Sequence, residues 1–408
     1  MLKLSDFLLW LSVGLLVLIS FFAIFSCTYS MQAKAGTDAL LYVKRQLFSL
    51  LVGVLGLGVF AFLDYKRLKK IAPFLYIIML GLLAVVLLLD KANGAGAQRW
   101  LQFGPFSFQP SEISKIIMVV CLAAFFSSRD RLRTLWENGF LLLVVGLPFL
   151  LIFRQPDLGT ALVFIFILIG MLAASGSSAK LLILLTTPML SIMFRPILYL
   201  WLIYLFALVV TLFLTRAFAL DWFLVLGSNV AVGIAMPFIW RVLKPYQQQR
   251  ILAFLNPGSD PYGAGYHSMQ SKIAIGSGGF FGKGFLRGTQ TQLQFIPEQH
   301  SDFIFSAIGE EFGFLGAGIV LALFAVVIWR ALYMASQARD KFGTLLASGI
   351  AVMTAFHVFA NIGMTLGLLP VVGMPLPFLS YGGSSLLMNL ISLGILQSIA
   401  MRREKLIF

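Results

Sequence analysis

Twelve runs of apolar residues, each about long enough to cross a bilayer, constrain this chain more than any other feature of its sequence. A membrane-spanning helix needs about 20 apolar residues, with a range of about 17–25. Runs of this kind occupy 7–26, 47–63, 71–89, 112–127, 139–153, 158–174, 181–194, 197–214, 222–240, 312–329, 345–366 and 384–400, the shorter ones borrowing flanking residues. Only 11% of the 408 residues are charged and 60% are hydrophobic, against roughly 25% charge in an ordinary soluble domain. So few charges cannot cover a water-soluble surface, and disorder requires low hydrophobicity. The expected fold is an all-α polytopic membrane protein of about 12 transmembrane helices, a single membrane domain over 1–408. The first run is too long for a signal-peptide core and has no small-residue cleavage site, so it reads as a span.

Orientation follows from the basic residues. Thirty Lys and Arg against sixteen Asp and Glu give a net charge of +14. In an apolar chain this charge points to anionic lipid at the cytoplasmic face rather than to nucleic acid. With the N-terminus inside, alternate loops carry sixteen basic residues, from Lys3 and Lys66 to Arg403 and Lys405, and the opposite short loops carry seven. Both termini are therefore expected in the cytoplasm of a multi-pass protein. Between the ninth and tenth runs, 241–311 forms one large external loop, polar, Gly-rich and dense in turn formers. Long loops translocate largely regardless of charge, and a loop of this length is more often functional than idle.

The scarce polar residues carry the chemistry. Cys27 and Cys121 make neither a disulfide framework nor a CxxC site, and Cys121 reads as a core residue. His267, His300 and His357 show no zinc spacing; His357 lies in a span and reads as polar glue between helices. Ser277–Gly284 superficially resembles a phosphate-binding P-loop but lacks its first Gly and its final Ser/Thr, so no nucleotide is expected there. The loop reads instead as turn-rich backbone that accommodates a bulky lipid headgroup. No zinc or haem is expected; a divalent cation, Mg²⁺ or Mn²⁺, needs only one or two carboxylates plus substrate phosphates.

An ionisable group at membrane depth is suspected of function by default. Asp260, in the turn Pro257-Gly258-Ser259-Asp260-Pro261, reads as a turn residue or helix cap or as a general base on a sugar hydroxyl. Glu112 and Lys115, three apart where a span begins, share one helix face; they are either a packing pair or part of a polar cavity. Asp157, at another span mouth, reads first as a helix cap. Trp10, Trp100 and Trp136 fit interfacial anchors.

Long motifs then supply a resemblance. Gly96-Ala97-Gln98-Arg99-Trp100 and Phe103–Glu112 closely resemble the SEDS family (shape, elongation, division and sporulation proteins). So do Arg154–Ala161, Asp260–Tyr266, Gln270–Gly279, His300–Phe305 and Pro375–Ser385. The match spans nearly the whole chain and is most similar to the family's RodA branch. It implies a peptidoglycan glycosyltransferase of the bacterial cytoplasmic (inner) membrane that polymerises lipid II into β-1,4-linked strands during elongation and shape maintenance. Its implied partners are undecaprenyl-diphosphate-linked glycan, membrane lipid and a class B penicillin-binding protein.

The family's essential Asp matches Asp260 and its Glu/Lys pair matches Glu112 and Lys115. Lys272, Arg250 and Lys283 are expected to meet the diphosphate. The motif residues Arg99, Asp157, His300 and Ser380 join them as candidate substrate contacts. The family usually has ten spans, so 181–240 is expected to hold an extra pair. A flippase for the lipid-linked precursor is the alternative from another class, and a non-enzymatic scaffold is a third.

Overall fold

The computed structural model describes residues 6–93, 100–103, 106–129, 135–177, 179–214, 219–255 and 264–403. Each apolar run becomes a helix. Six come first: α1 (Phe7–Ala35), α2 (Leu41–Phe62), α3 (Tyr65–Asn93), α4 (Pro110–Ser127), α5 (Leu135–Arg154) and α6 (Leu158–Ala174). Then follow α7 (Ala179–Phe194), α8 (Leu198–Leu214) and α9 (Ala219–Val242). Three loop helices, α10 (Pro245–Leu255), α11 (Ala264–Ser277) and α12 (Thr289–Leu293), lead to α13 (Ile304–Ser336), α14 (Lys341–Thr365) and α15 (Gly383–Met401). Among the described residues eight helices are long and apolar enough to cross a membrane alone, and four shorter apolar stretches lie in α5 to α8. Together they account for the twelve runs. The all-α expectation needs one addition, an antiparallel hairpin of β1 (Leu101–Phe103) and β2 (Phe106–Phe108) leading into α4.

Depth in the bundle is unequal. Within their apolar windows α15 is 89% buried, α14 83% and α4 78%, whereas α3 is 22% and α9 18% buried. The first three form the centre and the others turn large apolar side chains outward, as lipid permits. Small residues allow the central contacts. A Cβ on Gly349 of α14 would come within 2.5 Å of Val119, and one on Gly394 of α15 within 2.5 Å of the Leu57 carbonyl of α2.

Segments that the charge pattern puts on one side meet at one end of the bundle. There Arg330 Nε donates to Asp6 at 2.6 Å, Arg402 donates to the Phe62 carbonyl at 2.6 Å, and Lys341 reaches the Arg129 carbonyl. The extra apolar sequence forms a small bundle of its own. Asn229 of α9 donates to Thr187 of α7 at 3.0 Å, Tyr204 of α8 donates to Asn229, and Trp201 donates to Ser191 at 2.6 Å. This polar glue suits helices that gain nothing from the hydrophobic effect in lipid.

The Gly-rich loop, which its composition suggests accommodates a headgroup, packs its backbone against α13. α13 is broken at Gly313, whose φ of 66° and ψ of −161° only glycine adopts readily. The break strands backbone groups that hydrocarbon cannot satisfy. The loop supplies partners for them: Lys283 and Gly284 donate to the Glu310 and Glu311 carbonyls at 3.0 Å. In return Phe314 and Leu315 donate to the Gly279 and Phe280 carbonyls at 2.9 and 3.1 Å. A Cβ at Gly278 would sit 2.0 Å from the Gly309 carbonyl oxygen and one at Gly282 2.2 Å from that of Glu311. The glycines are there for close approach of backbone to backbone.

Gly313→Ala combines a glycine-only conformation with a Cβ 2.3 Å from the Gly282 amide nitrogen. It should cost at least about 1–3 kcal/mol and lower the thermal midpoint of the detergent-solubilised protein. Gly58→Ala, with open space around the new methyl, should leave it unchanged. Equal midpoints for the two variants would contradict this account of the break.

Candidate active site

At the end of the bundle opposite the Arg330–Asp6 pair lies a cavity of about 450 Å³. Its walls come from four segments. The first is the entry to α4, with Trp100, Gln109, Glu112 and Lys115; the second is the entry to α6, with Asp157 and Thr160. The others are Glu298–Asp302 before α13 and the loop from Gly373 to Gly383 before α15, with His357 of α14 between them. All four are loops or span mouths that the basic-residue pattern assigns to a single side.

Local sequence explains how each carboxylate is held. Pro110 opens α4 and Glu112 falls in its first turn, where the helix N-terminus favours an anion. Lys115, one turn on, reaches back to Glu112 Oε1 at 2.7 Å, and both side chains are about 95% buried. Lys115 Nζ also lies 2.9 Å from His357 Nε2. Both readings of this pair therefore hold at once, since it is buried and it lines the cavity. Asp157 caps α6, accepting from the Thr160 amide at 3.2 Å and its hydroxyl at 2.9 Å. Gln109 and Ser111 also donate to Asp157 Oδ2 at 3.2 Å, tying α4 to α6.

The third wall is bound into the fourth. His300 stacks edge-on with Tyr42 and lies against Tyr381, whose amide donates to the His300 carbonyl at 2.9 Å. Burial holds the His300 imidazole below its ordinary pKa, against the upward pull of Glu298. Burial likewise pushes the Asp302 carboxyl up to about 6; Glu298 adds to the rise and Arg250 opposes it. Arg250, on α10, approaches this wall: its guanidinium donates to the Val371 carbonyl at 3.3 Å. A Cβ on Gly373 would lie 3.1 Å from Asp302 and 3.9 Å from Arg250.

Of the candidate substrate contacts, Glu112, Lys115, Asp157 and His300 line the cavity, and Arg250 stands at its edge. Ser380 is buried beside it and holds the loop, accepting from the Leu376 amide at 2.8 Å and donating to the Ser301 carbonyl. Lys272 is exposed on α11 alongside Gly367, outside the lining. Lys283 is not brought to the cavity either. Its ammonium is taken by the fully buried Glu310 at 2.8 Å and by Thr289. Asp260 and Arg99 lie outside the described residues. Glu298 and Asp302 line the cavity without having been candidate contacts, and Asn361 went unread altogether: it donates to the Asp302 and Met374 carbonyls at 2.9 and 2.7 Å and clamps two walls together. Its signal was the polar pair His357 and Asn361, four apart in an apolar run and so on one helix face. Among the described residues no three His, Cys, Asp or Glu side chains are grouped to hold a metal ion.

A helical bundle with lipid-facing flanks and a polar, charge-lined cavity at one end defines a polytopic membrane protein with a membrane-embedded site. More particularly, the chain belongs to the cell cycle protein family of FtsW, RodA and SpoVE, the SEDS family, whose sequence profile matches residues 6–210 and 188–405. The two stretches overlap within α7 and α8, where the extra apolar sequence lies. The chain is similar to the peptidoglycan glycosyltransferase MrdB of Escherichia coli (strain K12), 39% identical over 368 residues covering 89% of this chain and 87% of that protein. It is 34% identical over 433 residues to the peptidoglycan glycosyltransferase RodA of Treponema pallidum, covering 98% of each. Its fold matches a chain of a peptidoglycan synthase complex that coordinates polymerization and crosslinking, with a TM-score of 0.72 at 29% identity over 98% of each chain.

The raised pKa of Asp302 makes a stability prediction. A carboxyl whose folded pKa of about 6 exceeds its ordinary 3.8 favours the folded state while protonated. That advantage is present below about pH 4 and is lost as pH rises through 6. Asp302→Asn should therefore be more heat-stable than wild type at pH 8 and equal to it at pH 4. A thermal midpoint at pH 8 no higher than wild type would show that the carboxyl carries no such burial penalty.

Proposed function

We propose that this chain, a peptidoglycan glycosyltransferase, polymerises lipid II at the cavity on the outer side of the bacterial cytoplasmic membrane, with both termini in the cytoplasm. The observation that carries the reading is the Glu112–Lys115 pair, a buried charge pair at a span mouth that opens onto a cavity walled by the family's motifs. The growing strand, linked through a diphosphate to its polyprenyl carrier, is the donor. The 4-hydroxyl of the acceptor's terminal GlcNAc attacks the donor's MurNAc anomeric carbon, and the carrier diphosphate departs.

Asp260 takes the proton of the attacking hydroxyl; it lies in the segment joining α10, which carries Arg250, to α11. Lys115 and Arg250 bind negative charge as it develops on the departing diphosphate, where a fixed cation in a dry site is worth far more than in water. Asp157 and Asn361 hold the walls in register.

Among the described residues, the cavity lining carries Glu112, Asp157, Glu298 and Asp302 against one cationic side chain, Lys115. A diphosphate entering such a site needs more positive charge. We therefore assign Mg²⁺ or Mn²⁺ as a companion of the substrate, held by the diphosphate and one or two of these carboxylates; when bound it would neutralise the leaving group. The relative found in a synthase complex supports a class B penicillin-binding protein as the partner.

Asp260→Asn should fold normally and lose about 10²–10⁴-fold in strand synthesis from lipid II, measured on purified protein by gel separation of glycan products. Near wild-type synthesis would remove Asp260 from its role. Transfer of labelled precursor across vesicles with no strand formed would replace the glycosyltransferase reading with that of a flippase.

A further inference from the structure

His357 has a task beyond packing. Lys115 Nζ donates to Glu112 Oε1 at 2.7 Å and lies 2.9 Å from His357 Nε2. An ammonium has three N–H groups and no lone pair, so Nε2 must be the acceptor. On the other side of the ring Nδ1 is 2.8 Å from the Met353 carbonyl oxygen, one turn earlier in α14. A carbonyl only accepts, so Nδ1 must carry the proton. One species satisfies both contacts, the neutral imidazole protonated at Nδ1. An imidazolium would instead set two cations 2.9 Å apart among side chains that are all about 95% buried.

The geometry follows from helix packing. α14 approaches α4 closely because Gly349 meets Val119 without a side chain, and two turns further along α14 His357 arrives beside Lys115. With Glu112 and His357 each fixing one N–H, the third is left for whatever occupies the cavity that all three residues line.

We propose that His357 is a positioning residue: as a fixed neutral acceptor it holds Lys115, together with Glu112, so that the remaining N–H points at an anionic phosphoryl oxygen of the lipid-linked diphosphate. This rests on the function proposed above and adds a second point of control over its leaving-group site. Removing the acceptor frees Lys115 to rotate and leaves a buried N–H unsatisfied.

The test is direct binding of two probes to the purified full chain, undecaprenyl diphosphate and undecaprenol, which lacks the diphosphate. Lys115→Met and His357→Leu should each weaken binding of the diphosphate on the order of tenfold or more, the worth of one hydrogen bond to a charged group. His357→Gln, which keeps an acceptor, should restore most of the affinity. Undecaprenol binding should be the same in all four proteins. If His357→Leu does not fold, His357→Met, similar in bulk and without a strong acceptor, takes its place.

Equal loss for both probes would mean that His357 is merely structural and would overturn the proposal. So would wild-type affinity for the diphosphate in His357→Leu or in Lys115→Met, or failure of wild type to distinguish the probes. Strand synthesis by wild type is read separately. If it is absent while the His357 dependence of diphosphate binding persists, the function assigned above fails and the positioning role stands.

Discussion

Hydrocarbon offers no water to meet a stray charge or amide, and that cost shapes every unusual feature of this protein. Lys115 is tolerated at a span mouth because Glu112 and His357 meet it on two sides. α13 can break at Gly313 because four backbone hydrogen bonds from the glycine loop replace those the helix loses. Glu310, fully buried just before that break, is surrounded by Lys283, Thr289, Gln290 and Thr291. Its neighbour Glu311 accepts from the Ser26 hydroxyl of α1. In this way the segment before α13 is fixed to the first helix, and the Glu298–Asp302 wall of the cavity is held in place.

The same cost divides the molecule by task. α4, α14 and α15, the most buried spans, present the cavity from their ends, while α7 to α9 pack mainly on one another through an internal polar network and meet the core through Leu181 of α7. Loops make most of the cavity wall, yet they are pinned by backbone and buried side-chain contacts rather than left free. Ser380 and Asn361 tie the Gly373–Gly383 loop to the residues around His300 and Asp302. Phe378 in that loop has a φ of 61° and is nonetheless buried. A bulky residue in the left-handed region persists only where its surroundings dictate it. Strain in this loop and the desolvated carboxyl of Asp302 both set stability against the site, as is common where binding groups must be preorganised.

Much of this was legible in advance, residue by residue. Asp157 reads as a cap because Asp before an apolar run fits no other local role so well, and it caps α6. Glu112 and Lys115 read as a pair because three residues along a helix put them on one face. The Gly276–Gly284 stretch was open to misreading: glycine density says that the backbone bends or approaches something closely, but not what it approaches. Lys283 misleads for a related reason. A basic residue in a polar loop looks free to bind phosphate until the fold delivers Glu310 to it from 27 positions away.

Sequence alone determined the membrane setting, the number of apolar helices, the grouping of loops by side and the family, because hydropathy, basic-residue placement and motifs are local properties of the chain. Tertiary structure alone decided which polar residues meet. Lys115 comes from α4, His357 and Asn361 from α14 and Asp302 from the loop before α13, and their partnership depends on how closely α4 and α14 approach and where the helices start. Contacts set by angstrom-scale packing between distant segments leave no periodicity to read. That is why the cavity and its positioned ammonium became visible only once the helices were assembled.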